Sequence, residues 1–149
     1  MLSVRVATPE DEEPVLTLLE ELFEAPARRP PGYTRERGAT GFRHAVSSDD
    51  TDVLLAVDQD GIVGLASVYV ALLSMRFGHR CWLEDLVVTS SRRSQGIGRV
   101  LLDAATSWAR THGCTHIELE SAAARKDAHR FYVASGMAQT ALSFARWIR

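Results

Sequence analysis

The stretch LEDLVVTSSRRSQGIGRVLL, residues 83–102, joins a β-rich apolar run to a helix-like run through a polar loop. The loop contains two glycines one residue apart, Gly96 and Gly98. The first amides of a helix have no partner within it, and the helix dipole favours an anion in front of them. Glycine lets the backbone approach a phosphate closely because it has no Cβ. The stretch therefore predicts either a phosphate or pyrophosphate site, or an ordinary glycine-containing turn.

Three arginines, Arg92, Arg93 and Arg99, flank the glycines and would add positive charge around an anionic ligand. The loop is not a P-loop, because no Gly-Lys-Ser/Thr sequence follows it. It also lacks the three-glycine spacing of a dinucleotide-binding turn. The loop alone therefore does not identify its ligand.

The rest of the chain alternates between strand and helix patterns. Periodicity and turn residues predict strands at 2–7, on both sides of the turn 58–61, and at 81–88, 114–122 and 141–148, helices at 9–23, 40–46, 98–112 and 127–134, and a loop at 25–38. The order is β-α-α-β-β-β-α-β-α-β. This order predicts an α/β (α+β) domain, a mixed central sheet of about six to seven strands flanked by helices. The unit around residues 83–102 is expected to be a right-handed parallel crossover.

The composition is typical of one globular domain spanning residues 1–149, with 46% hydrophobic and 24% charged residues. A net charge of −2 gives no reason to expect a nucleic acid partner. No apolar run approaches the roughly 20 residues of a membrane span, and the N-terminal sequence has no secretory pattern. The two cysteines, Cys81 and Cys114, are expected to be buried thiols. These features predict a cytoplasmic protein without a membrane partner or a metal site.

Residues 83–102 resemble the acetyl-CoA-binding segment of the Gcn5-related N-acetyltransferases (GNAT). The loop pattern of that family is Arg or Gln, two residues, Gly, one residue, then Gly or Ala, and Arg93, Gly96 and Gly98 match it in register. A second family signature is an Ala followed by an aromatic pair ending in Tyr, then Gly and an apolar residue. The segment AHRFYVASGM, residues 128–137, matches that signature.

The resemblance implies how coenzyme A would be bound. The loop backbone would bind the pyrophosphate through residues Arg93, Ser94, Gln95, Gly96, Ile97, Gly98 and Arg99. A bulge in the central strand would splay a pair of neighbouring strands, and the backbone of Leu86, Val87 and Val88 would pair with the pantetheine arm. Tyr132 matches the tyrosine that can protonate the leaving thiolate. Family members often have Asn seven residues before this tyrosine. This chain has Arg125 there, and whether Arg125 contacts the cofactor is open.

Glu84 and Asp85 precede the pantetheine-binding stretch on the same predicted strand. Because side chains alternate along a strand, we expect the two carboxylates to face opposite sides, with Glu84 on the side of Trp82 and Leu86. Acetyl transfer to an amine needs a group that removes a proton. We favour Glu84 as this base, directly or through a water. The alternatives are that Glu84 only binds substrate or an arginine, and that Asp85 binds substrate or is structural.

The predicted function is an acetyl-CoA-dependent N-acetyltransferase that moves the acetyl group to a primary amine of a small molecule or peptide by direct attack in a ternary complex. The alternative is a non-catalytic acyl-CoA-binding or sensor domain of the same fold. The acceptor pocket is expected between residues 25–50 and 74–80, where the family varies most. The resemblance makes a homodimer possible. Trp82, Trp108 and Trp147 are expected in the core.

Overall fold

The computed structural model describes residues 1–148. The elements in chain order are β1 (Ser3–Val6), α1 (Glu12–Leu19), α2 (Arg35–Ser47), β2 (Thr51–Asp58), β3 (Gly61–Val70), β4 (Cys81–Val88), α3 (Ile97–Thr111), β5 (Ile117–Glu118) and α4 (Lys126–Ala134). Short 3-10 turns precede α1 at Pro9–Asp11, follow it at Glu20–Phe23, and follow β4 at Ser90–Arg92. The predicted α/β class is confirmed.

One mixed sheet has the strand order β1-β2-β3-β4-β5. The pairs β1–β2, β2–β3 and β3–β4 are antiparallel, and the pair β4–β5 is parallel. The predicted hairpin is present between β2 and β3, where the amide of Asp60 donates to Asp58 Oδ1 at 2.8 Å and Gly61 has a φ of 97°. The predicted parallel crossover runs from β4 through α3 to β5.

Two apolar clusters lie on the two faces of the sheet. On one face, α3 buries Leu101, Ala105 and Trp108 against strand residues such as Leu83. On the other, α1 buries Val15 and Leu18 together with Phe42 of α2 and strand residues Leu55, Leu65 and Val87. The helices therefore cover both faces, and the sheet is the middle layer.

Helix α2 is longer than the sequence predicts, because it begins at Arg35 and not near residue 40. Thr34 caps it, with its hydroxyl accepting a hydrogen bond from the Arg37 amide at 3.0 Å. The predicted loop is correspondingly shorter and ends at residue 34. No helix within residues 1–148 combines the length and the apolar character that crossing a bilayer requires.

Two strand predictions are wrong at the C-terminal side of the chain. The strand expected at 114–122 is reduced to Ile117–Glu118, and residues 141–148 form no strand, so the sheet has five strands within the described chain. A strand needs a hydrogen-bonded neighbour, and within the described chain only Ile117 and Glu118 of these two segments pair with a strand, β4. Trp147 is consequently 67% exposed, which contradicts the prediction of a core residue. Trp108 is buried as predicted.

Candidate active site

The glycine loop has an unusual backbone conformation immediately before α3. Ser94 has a φ of 62° and Gly96 a φ of 84°, so both lie in the left-handed region. The first bond across the helix start runs from the Val100 amide to the Gly96 carbonyl oxygen, at 3.1 Å. The amides of residues 97–99 donate to no described backbone group. The loop thus presents unpaired N–H groups at a helix N-terminus, a geometry suited to an anion.

The three arginines of the loop have different environments. Arg92 is held by ion pairs with Asp58 and Asp60 of the β2–β3 turn, so it is not the mobile charge that the sequence suggests. Arg99 pairs with Asp103 one turn along α3, at 3.2 Å. Arg93 contacts the Val88 carbonyl oxygen through Nε at 3.2 Å and has no described carboxylate partner. Arg93 is therefore the loop arginine most available to a ligand.

A gap opens between β4 and β5. The two strands pair only through Cys81 with Ile117 and Trp82 with Glu118. From Leu83 to Val88, β4 has β3 on one side and no described strand on the other. The backbone edge that includes Leu86, Val87 and Val88 is thus open to an extended ligand that adds to the sheet like a strand.

A cavity of about 220 Å³, which we call the loop cavity, lies between residues 21–26 and the start of α4, and Arg93 of the glycine loop lines it as well. Three cationic residues, Arg93, Arg125 and Lys126, line it together with three acidic ones, Glu21, Glu24 and Asp127. Arg125, whose role the sequence leaves open, thus lines the same cavity as Arg93. Glu21 fixes the adjoining backbone, since its carboxylate accepts hydrogen bonds from the Thr89 hydroxyl and the Ser90 amide, both at 2.9 Å.

A β-bulge changes the orientation of β4 at the acidic pair. Ser67 pairs with Asp85 and Val68 with Leu83, so Glu84 is the extra residue. Before the bulge Leu83 packs in the α3 cluster, and after it Val87 packs in the α1–α2 cluster. The prediction that Glu84 and Asp85 face opposite sides is therefore wrong, because an extra residue breaks the alternation. Both carboxylates line one cavity.

This second cavity, which we call the acceptor cavity, has a volume of about 430 Å³ and lies between the sheet and helices α1 and α2. The accessible surface of its walls is mainly apolar, although polar side chains that include Tyr33, His44 and Asp52 also line it. Glu84 and Asp85 line one side, together with Ser67 and Tyr69 of β3, and Arg37 of α2 lies on the wall as well. An apolar cavity with a few convergent polar groups is typical of a small-molecule site.

Asp85 is half-buried and closely held. Its carboxylate accepts a hydrogen bond from the Ser67 hydroxyl at 2.8 Å, and its amide donates to the same hydroxyl oxygen at 3.0 Å. Burial raises the pKa of Asp85 to about 6, the negative charge of Glu84 adds to this, and the Ser67 hydrogen bond opposes it. Glu84 is exposed to the cavity and the solvent.

Tyr132 lies on α4 and is not among the residues that line either cavity. Burial raises the pKa of its phenol, the Arg125 charge opposes this rise, and the Asp85 charge adds to it. Tyr132 therefore lies within electrostatic range of one residue of each cavity. A phenol with a raised pKa retains its proton, as a proton donor must.

Sequence reasoning missed Ser67, Tyr69 and Arg37 as residues of the site. Ser67 and Tyr69 follow Leu65 at every second position of β3, which places all three on the cavity wall. Tyr69 has its pKa raised to about 12 by burial and by the Glu84 charge. Alternation along β3 was the signal that could have found the pair, but only once β3 was known to lie beside β4.

Comparison with known proteins decides the family. Residues 14–137 match the model of the acetyltransferase (GNAT) family, a stretch that contains the glycine loop, the acidic pair and Tyr132. The chain belongs to the GNAT family. The resemblance proposed from the sequence is confirmed, and the class of enzyme that it implies is an acyltransferase.

Other GNAT proteins resemble the chain to different extents. An aminoalkylphosphonate N-acetyltransferase of Salmonella typhimurium is 31% identical over 146 residues, which are 96% of this chain and 89% of that protein. A Bacillus subtilis protein, the uncharacterized N-acetyltransferase YhdJ, is 48% identical over 60 residues, 40% of this chain and 42% of that protein. The aminoglycoside N-acetyltransferase AAC(6')-Iy in complex with CoA has a TM-score of 0.86 at 16% identity, over 100% of this chain and 95% of that one, which shows a shared fold.

Proposed function

We propose that the chain is an acetyl-CoA-dependent N-acetyltransferase that acetylates a primary amine of a small molecule. The observation that carries this proposal is the gap between β4 and β5, which lies between the glycine loop and the acidic pair. A thioester-bearing arm along the β4 edge would have its phosphate end at the loop and its acyl end near Asp85 and Tyr132.

The residues present fit coenzyme A at the phosphate end. The unpaired amides of Ile97, Gly98 and Arg99 form a site suited to a phosphate. The left-handed conformations of Ser94 and Gly96 shape the loop around that site. We propose that Arg93 and Arg125 add positive charge from the loop cavity, and that the side chain of Gln95 and the backbone of residues 86–88 complete the contacts.

Acetyl-CoA supplies the acetyl group as an activated thioester. We propose that Glu84 accepts a proton from the ammonium form of the acceptor, so that the amine nitrogen can form a bond with the acetyl carbon. As the carbon–sulfur bond breaks, Tyr132 donates its proton to the departing thiolate. The charge of Asp85 beside Glu84 favours a cationic acceptor in the cavity. No covalent enzyme intermediate is needed, because the amine attacks directly.

The acceptor cavity favours a small amine with an anionic group. Among the arginines of α2, Arg35 pairs with Glu13 and Glu20, and Arg43 pairs with Glu12. Arg37 lines the cavity, and within residues 1–148 its guanidinium donates only to the Pro31 carbonyl oxygen, at 3.4 Å. A relative is named for aminoalkylphosphonates, which carry an amine and an anion. The acidic pair and Arg37 would bind these two groups.

The test is release of free thiol from acetyl-CoA with a panel of acceptors: an aminoalkylphosphonate, the corresponding alkylamine and an aminoglycoside. We expect the phosphonate to be preferred, and the Arg37→Gln variant to raise its KM at least tenfold while the alkylamine KM stays unchanged. Arg43→Gln is the control, because Arg43 lies outside the cavity. Binding of acetyl-CoA without thiol release for any acceptor would indicate the non-catalytic acyl-CoA-binding domain instead.

A further inference from the structure

Arg92 ties the glycine loop to the turn between β2 and β3. Its guanidinium donates to the carboxylates of Asp58 and Asp60, and its Nε atom donates to Gln95 Oε1 at 3.0 Å. Asp58 also accepts a hydrogen bond from the Asp60 amide at 2.8 Å, and its side chain is 4% exposed. One arginine thus joins a buried carboxylate of the sheet to a side chain of the proposed pyrophosphate loop. We call these four residues the Arg92 clamp.

The clamp fixes which end of the Gln95 side chain is free. A guanidinium has donors and no acceptor, so the amide oxygen of Gln95 must be the atom that faces Arg92. The NH2 group of Gln95 has no described hydrogen-bond partner within residues 1–148, so its two donors are free. Gln95 is exposed and directly precedes the left-handed Gly96 and the unpaired amides of residues 97–99. Free donors at this place suit a phosphate oxygen.

The charges of the clamp argue against a direct electrostatic role for Arg92. The clamp combines one cation with two anions, so as a group it repels a phosphate more than it attracts one. The hydrogen bond from Arg92 is the main cause of the lowered pKa of Asp58, and the Asp60 amide adds to it, so Asp58 stays ionised at neutral pH. Arg92 therefore acts by holding its neighbours in place, whereas Arg93 keeps its charge available.

We propose that Arg92 is a positioning residue for the cofactor: it holds the Gln95 amide so that the NH2 group donates to the pyrophosphate of coenzyme A. This inference rests on the proposed function, because it assumes that coenzyme A occupies the glycine loop. A side chain that is ordered before binding avoids the entropy cost of being ordered on binding. The turn between β2 and β3 therefore contributes to cofactor affinity although it lies outside the proposed ligand contacts.

The first test compares carboxylates that pair with different loop arginines. Binding of coenzyme A to the full chain is measured by titration calorimetry for Asp58→Asn and for Asp103→Asn, which make the same chemical change. We expect the dissociation constant to rise roughly tenfold in Asp58→Asn, because the clamp loosens. It should not rise in Asp103→Asn, because Asp103 pairs with Arg99 outside the clamp.

The sign of the effect decides between the two roles of Arg92. If Arg92 were a direct phosphate ligand, the loss of Asp58 would free its charge and lower the dissociation constant. A lower or unchanged dissociation constant in Asp58→Asn would therefore overturn the proposal. Asp60→Asn is the milder second variant in case Asp58→Asn does not fold, since the Asp60 side chain is 66% exposed. We expect a smaller rise there, and a fall would contradict the proposal equally.

The second test asks whether Arg92 acts through Gln95. Arg92→Lys keeps the positive charge but loses the planar fork that reaches several acceptors at once, and we expect it to raise the dissociation constant roughly tenfold. In a Gln95→Ala background the same change should have little further effect, because residues that act together are not additive. A merely structural role would weaken binding equally in both backgrounds, and that result would sink the proposal.

The failure of this inference can be told apart from the failure of the proposed function. In turnover, the clamp variants should raise the KM of acetyl-CoA and leave the KM of the amine acceptor unchanged. If coenzyme A does not bind the wild-type chain, the proposed function fails and the inference fails with it. If the wild-type chain and all the clamp variants bind coenzyme A equally well, the inference alone is wrong.

Discussion

Asp85 combines burial with a nearby negative charge, and this combination destabilises its ionised form. Its pKa is about 6 in the fold, against an ordinary value of 3.8. A raised pKa means that the stability contribution of the group is fully present below pH 3.8 and is lost as the pH rises through 6. Neutral pH is therefore the condition in which Asp85 destabilises the protein most.

The variant Asp85→Asn should remove this pH dependence. Between pH 4 and pH 7.5 the wild-type chain should lose roughly 2 kcal/mol of unfolding free energy that the variant keeps. Urea unfolding of both proteins at the two pH values measures the difference, and all other titrating groups cancel in it. If the unfolding free energies of the wild-type chain and the variant differ by the same amount at both pH values, the pKa of Asp85 is not raised in the fold.

The pH profile of kcat can separate the two carboxylates. If Glu84 is the base, Glu84→Gln should lower kcat about 100-fold and remove the acidic limb, whereas Asp85→Asn should have a smaller effect. Ser67→Ala provides an independent probe, because loss of its hydrogen bond raises the pKa of Asp85. We expect the acidic limb to stay in place in Ser67→Ala. A limb that moves to higher pH would transfer the role of base to Asp85.

At the scale of the elements, the start of α3 is where a left-handed backbone conformation coincides with the proposed cofactor-binding loop. Gly96 has a φ of 84° with open space around it, and so does Gly113, with a φ of 76°, at the other end of the same helix. A substitution at either glycine meets a similar backbone strain, on the order of 1–2 kcal/mol. Only Gly96 lies in the proposed pyrophosphate loop.

These two glycines make a matched pair of variants. We expect acetyl-CoA to raise the melting temperature of the wild-type chain and of Gly113→Val, since a ligand that binds only the folded state stabilises it. Gly96→Val should lose most of this shift, while its melting temperature without ligand falls about as much as that of Gly113→Val. Equal shifts in both variants would exclude the loop as the binding site for the cofactor.

At the scale of the whole molecule, the sequence predicted what depends on local signals. Three features could be predicted because turn residues, apolar periodicity and glycine spacing are local: the turn at residues 58–61, the crossover through α3 and the two family signatures. The bulge at Glu84 could not be predicted from the sequence, because it depends on how β4 pairs with β3. As a result, the sequence supplied both carboxylates but placed them on opposite faces.

The C-terminal residues show a second limit. Alternation at 141–148 predicts a strand, but a strand also requires a hydrogen-bonded neighbour, and these residues pair with no described strand. The position of Arg37 on the cavity wall was likewise beyond the sequence, because it depends on how α2 packs over the sheet. Pattern alone predicts what a segment can form, and pairing decides what it does form.

The bulge at Glu84 also has a meaning for how this chain can vary. Upstream of it, odd-numbered positions of β4 such as Leu83 belong to the α3 layer, and downstream the odd-numbered Val87 belongs to the α1–α2 layer. The extra residue thus changes which positions of β4 face which helix layer: odd-numbered side chains face the α3 layer before it and the α1–α2 layer after it. Deleting the residue would make Leu83 and Asp85 ordinary neighbours on opposite faces of a regular ladder, and every later side chain of β4 would keep its layer. The extra residue therefore serves the cavity, because it adds a second carboxylate beside Asp85 while the apolar side chains of the strand keep their layers.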